Sequence, residues 1–135
     1  MSLGYCGYAN LQEADDTLVI YSYCCYNINN EGWERFENAS DGELYIDRDA
    51  FVEPEIHEKP KKAPSGRKKL VVKRVKRDFP FREYLDKEKI KVKNASGTWK
   101  TNSSGIDMIA LQILLKMFDE YQEIGKVPEH IGLFY

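Results

Sequence analysis

Residues 103–125 read SSGIDMIALQILLKMFDEYQEIG, and this stretch decides the fold. Ile106, Ile109, Ala110, Ile113, Leu114, Met117, Phe118 and Tyr121 recur at intervals of three and four, which places them on one face of a helix. Ser103 or Ser104 supplies an N-cap, Asp107 stands in the first turn, and Gly125 followed by Pro128 stops the element. A helix is therefore predicted over about 105–124. Met108, Leu111 and Leu115 lie outside the stripe and widen the apolar arc to roughly 200°, past the ~100° that a helix resting on one surface needs. Burial on two sides follows: strands wrap the helix and residues 127–135 cover it, or a second subunit does. Cover from within the chain is the preferred reading, so a monomer is favoured over a homodimer formed through Met108, Leu111 and Leu115.

Working outward, the remaining elements read mostly as strands. In residues 18–25, Leu18, Ile20, Ser22 and Cys24 alternate with Val19, Tyr21, Tyr23 and Cys25, giving two largely apolar faces and a strand covered on both. Residues 5–12 form an antiparallel partner across a tip at Asp15 and Asp16. A helical turn is expected over 33–38 and a turn at Asp41-Gly42. Leu44 and Ile46 then mark a half-buried strand. Pro54, Pro60 and Pro64 make residues 53–66 a proline-rich loop inside the domain. A strand is expected over 69–77; if it pairs with 43–47, the acidic and basic blocks neutralise each other across the sheet. Phe79, Pro80, Phe81, Tyr84 and Leu85 indicate a short helix near 80–87. Lys89-Ile90-Lys91-Val92-Lys93 alternates cleanly and is read as a hairpin with 98–101, which would set Lys91 beside Lys100 and call for an acid nearby. The predicted architecture is α+β: one domain over 1–135, with a mostly antiparallel sheet of five to six strands packed against the long C-terminal helix.

The chain has 135 residues, 42% of them apolar and 31% charged, which is ordinary globular composition. No apolar run approaches the length of a membrane span, and the first residues lack the basic and apolar regions of a signal peptide, so a cytoplasmic location is expected. Three cysteines, Cys6, Cys24 and Cys25, are an odd number for a disulfide framework. Reduced, buried thiols are the preferred reading, with a pair between Cys6 and Cys24 or Cys25 as the alternative.

Charge is sorted along the chain. Residues 1–58 carry thirteen acids against two arginines; residues 59–100 carry sixteen Lys or Arg against four acids; the total is only −2. Ten of those cations fall between Lys59 and Arg77. Arg67, Lys68, Lys69, Lys73, Arg74, Lys76 and Arg77, joined by Lys91, Lys93 and Lys100, are the candidate partner-binding residues. An acidic protein is the first reading of that partner, and nucleic acid, along whose phosphate backbone such a face would run, is the second. Neutralisation by the protein's own acids is the competing structural explanation. An enzyme with an unrecognised site is the third reading. His57 and His130 have no metal-ligand spacing, and no nucleophile elbow, P-loop or dinucleotide fingerprint occurs. His57, between Glu55 and Glu58, is noted only as a titratable group. No catalytic residue, cofactor or metal is expected.

Overall fold

A computed structural model describes the backbone of residues 3–62 and 68–135, and the side chains of residues 3–56 and 75–135. The chain runs β1 (Tyr5–Ala14), β2 (Leu18–Asn27), β3 (Gly42–Asp47), β4 (Glu55–Lys62), β5 (Lys68–Val75), α1 (Phe81–Asp86), β6 (Ile90–Lys93), α2 (Met108–Ile124) and β7 (His130–Phe134). Five strands form one sheet in the order β6-β3-β2-β1-β7, and every neighbouring pair is antiparallel. β4 and β5 form a separate two-stranded sheet. The α+β architecture predicted from the pattern is the one observed.

The long helix begins slightly later than its apolar pattern implies. Asp107, not Ser103 or Ser104, is the N-cap: its carboxyl oxygen accepts from the Ile109 N–H at 3.0 Å. That bond satisfies one of the free donors of the first turn. At the other end Gly125 takes φ +77, the left-handed conformation that glycine adopts without a Cβ penalty, and closes the helix by donating to Tyr121 O. Ile109, Ala110, Ile113, Leu114, Met117 and Phe118 are buried against Ala9, Val19, Tyr21, Tyr23, Leu44, Ile46 and Leu133 of the sheet. Phe51, Phe79, Phe81 and Tyr84 gather round Phe118 at ring separations of 5.1 to 6.2 Å.

Residues 127–135 cover the outer side of the helix only in part, through Tyr135, whose hydroxyl bonds Gln112 beside Met108. They supply β7, which adds to the edge of the sheet beside β1, with Ile131 and Leu133 facing the core. The wide apolar arc is thus only partly covered: Met108 and Leu111 are half-buried and Leu115 is 37% exposed. β2 is covered on its second face only near its end. There Tyr26 stacks on Trp33 at 5.4 Å and the Cys24 thiol donates to Glu37 O, whereas Leu18 and Ile20 stay half-exposed.

Three further expectations change. Residues 55–62, read as proline-rich loop, are β4. A two-stranded ribbon has two free edges, so a strand can contain Pro60 without losing a ladder bond that matters. The pairing of 43–47 with the basic strand, on which neutralisation across the sheet depended, does not occur: β3 pairs with β2 and β6, and β5 pairs with β4. Finally, β6 has no hairpin partner in 98–101: Lys91 lies opposite Tyr45 and Lys93 opposite Glu43. Alternation reports which face is buried, not which strand lies alongside.

Candidate partner interface

The β4–β5 ribbon carries most of the basic segment. Its two strands hold Lys59, Lys61, Lys62, Lys68, Lys69, Lys73 and Arg74 against Glu55 and Glu58. The register sets Lys61 opposite Lys69, Lys62 opposite Lys68, and His57 opposite Lys73. Like charges directly across a ladder oppose pairing. A two-stranded ribbon is only marginally stable by itself, so such pairs need help from elsewhere. Arg67 lies outside the described residues, as do the side chains of His57, Lys68, Lys69, Lys73 and Arg74.

The root of the ribbon is fastened to the last turns of α2. Before β4, Glu53 accepts a hydrogen bond from the Tyr121 hydroxyl. After β5, the buried Gln122 carboxamide lies along the Arg77 peptide as a neighbouring strand would. Its oxygen accepts from Arg77 N, and its NH2 donates to Arg77 O at 2.6 Å. Lys76 Nζ sits 2.8 Å from Asp119 Oδ1 and 3.8 Å from Glu123 Oε2, and the Asp119 bond raises the lysine's affinity for its proton. Replacing Gln122 with Leu leaves both Arg77 backbone groups without that partner. About 1–2 kcal/mol of local stability is expected to go, read as faster amide exchange at Arg77 and through β5. Exchange rates equal to those of the parent chain would show that the carboxamide does not hold the ribbon.

The other candidate cations are scattered. Lys91 reaches Glu88 at 3.9 Å and Lys93 stands opposite Glu43 on β6. Lys89, next to them, bonds Asp49 at 2.9 Å. The acid expected near Lys91 is therefore present, supplied by the turn before β6. Lys100 is elsewhere, at the rim of an apolar cavity beside α2. Lys76 and Lys91 thus have acids of their own, and Lys91 and Lys100 do not face each other.

Sequence reading missed a buried polar knot around Asp107. One carboxyl oxygen caps α2; the other accepts from Tyr23 OH at 2.9 Å, Cys25 Sγ at 3.1 Å and Thr98 Oγ1 at 3.1 Å. Tyr23 in turn accepts from Ala95 N at 2.9 Å, and Asn94 Oδ1 accepts from Asp107 N. Burial, with Asp107 adding to it, pushes the Cys25 thiol and the Tyr23 phenol well above their usual ranges. Both therefore act as proton donors in a structural network, not as nucleophiles. The only signal for this knot in the sequence was an acid at the start of the helix. All three cysteines are free, and Cys6 pairs in register with Tyr26, not with Cys24 or Cys25. Among the described residues no helix is long and apolar enough to cross a membrane. Compared with protein-family models, curated proteins and solved structures, the chain matches none of them.

Proposed function

We propose that this chain is a non-catalytic binding protein of the cytoplasm whose β4–β5 ribbon contacts an acidic protein partner. The observation that carries the reading is the cross-strand register: lysine stands opposite lysine twice at the ribbon's end, while Lys76, Lys89 and Lys91 elsewhere have acids of their own. An acidic surface laid along the ribbon would relieve that repulsion and steer the encounter. The fastening to α2 through Tyr121 and Gln122 would hold the ribbon ready. Free cysteines, two of them buried, suit a reducing compartment.

A labelled oligo-glutamate peptide serves as the probe. At low salt it is expected to bind, and replacing Lys61, Lys62, Lys68 and Lys69 together with Glu is expected to weaken binding about a hundredfold while circular dichroism stays unchanged. Unchanged affinity would remove the basis of the reading. One observation favours nucleic acid as a second reading: a two-stranded antiparallel ribbon is an element that fits the major groove of a duplex. A short DNA duplex binding more tightly than the peptide, with log affinity falling steeply in log salt, would support it.

A further inference from the structure

A cavity of about 270 Å³ opens beside the first turns of α2, at the opposite end of that helix from the ribbon's anchor residues. Tyr5, Trp99, Met108 and Tyr135 wall it, and Lys100 and Gln112 are its polar members. The Tyr5 and Trp99 rings lie 5.4 Å apart and tilted by 49°, forming an aromatic wall between β1 and the 94–107 loop. Met108 contributes a thioether, which packs well against a ring. The Tyr135 hydroxyl donates to Gln112 Oε1 at 3.2 Å, which fixes the carboxamide. The NH2 of Gln112 and the ammonium of Lys100 then have no hydrogen-bond or ion-pair partner among the described residues.

An apolar hollow with two or three convergent polar groups is the ordinary form of a small-molecule site. Here both free polar groups are donors, and a lysine ammonium can only donate. We propose that the cavity binds a small carboxylic acid with a flat apolar body. Its carboxylate lies between Lys100 Nζ and Gln112 Nε2, and its ring rests against Trp99, Tyr5 and Met108. A neutral ligand forgoes the attraction of the exposed ammonium. A long flexible chain makes poorer use of the aromatic wall and loses more freedom on binding.

The test uses the full chain, isotope-labelled, with 2-naphthoate, octanoate and naphthalene-2-methanol as probes, following the Trp99 indole N–H signal. Naphthoate is expected to shift it saturably with a dissociation constant below about 1 mM. The neutral alcohol should bind about tenfold more weakly, as the loss of one charge-assisted hydrogen bond implies. Octanoate should fall between the two. Lys100→Gln, an exposed change that leaves the fold in place, should bring naphthoate down to the level of the alcohol, and Gln112→Leu should weaken naphthoate severalfold. No saturable shift with any probe would overturn the proposal. So would naphthoate and the alcohol binding equally well, or naphthoate binding indifferent to Lys100→Gln. Octanoate binding as tightly as naphthoate would overturn the flat-bodied part of it.

Discussion

Replacing Asp107 with Ala is expected to destabilise the protein by about 3–4 kcal/mol, a large part of the 5–15 kcal/mol typical of a domain. The carboxyl group is fully buried and serves four donors. Their losses differ. The Ile109 N–H loses its cap, worth about 1 kcal/mol. The Tyr23 hydroxyl keeps the Ala95 N–H as a donor to it but has nowhere to send its own proton, at about 1–3 kcal/mol. Thr98 suffers least, because its hydroxyl can turn to Ala95 O at 2.8 Å. Cys25 is a weak donor and adds little. Asp107→Asn keeps volume and the capping oxygen but brings an NH2 into a ring of donors, so about half the effect is expected. Urea midpoints by tryptophan fluorescence measure all of this. Adding Tyr23→Phe to Asp107→Ala should bring no net recovery, since removing the stranded hydroxyl also takes away the acceptor of the Ala95 N–H. A change within about 0.5 kcal/mol for Asp107→Ala would contradict the burial and bonding described here.

Gly97→Ala should be comparably damaging for a different reason. A Cβ at residue 97 would stand 1.9 Å from Cys25 O and 3.0 Å from Phe36 Cβ. The nearer atom is backbone of a central strand and cannot turn aside. The loop would have to lift from β2, pulling Ala95 N from Tyr23 and Thr98 from Asp107. Overpacking of this kind costs about 3 kcal/mol. Faster amide exchange at Ala95 and Ser96 should accompany the lower midpoint. If the midpoint falls but those amides stay protected, the strain lies elsewhere. Both variants act on one assembly, the 94–107 loop sealing the end of β2, so their costs should not add.

How far the fold could be read from residues varies by element. α2 was legible because its stripe of Ile, Leu, Met and Phe repeats over five turns, and a pattern that long has few competing explanations. β1, β2 and β3 were legible from alternation and from the turn residues between them. β4 was not, because Pro54, Pro60 and a run of lysines carry no periodicity; its existence depends on β5 alongside it. For β6 the face was right and the neighbour wrong, since Ile90 and Val92 point inward whichever strand pairs with them. Of the candidate site, the concentration of cations was visible in the sequence, but its division between the ribbon, the acid-paired lysines and the cavity rim was not. Charge sorted along a chain says nothing about charge sorted in space. The Asp107 knot was out of reach for the same reason: Tyr23 lies 84 residues and Cys25 82 residues from the acid they serve.

The central claim is the proposal that the ribbon's lysines serve a partner, whereas Lys76, Lys87, Lys89 and Lys91 have acids within the chain. Retention on a sulfonate cation exchanger at pH 7 tests it directly, because a protein of net charge −2 binds there only through a local cationic surface. Two variants each lose four charges: Lys61, Lys62, Lys68 and Lys69 to Gln in the ribbon, and Lys76, Lys87, Lys89 and Lys91 to Gln outside it. The wild type and the second variant are expected to be retained and to elute with salt, and the ribbon variant to flow through. Equal loss of retention in both variants, or a wild type that is not retained at all, would contradict the account.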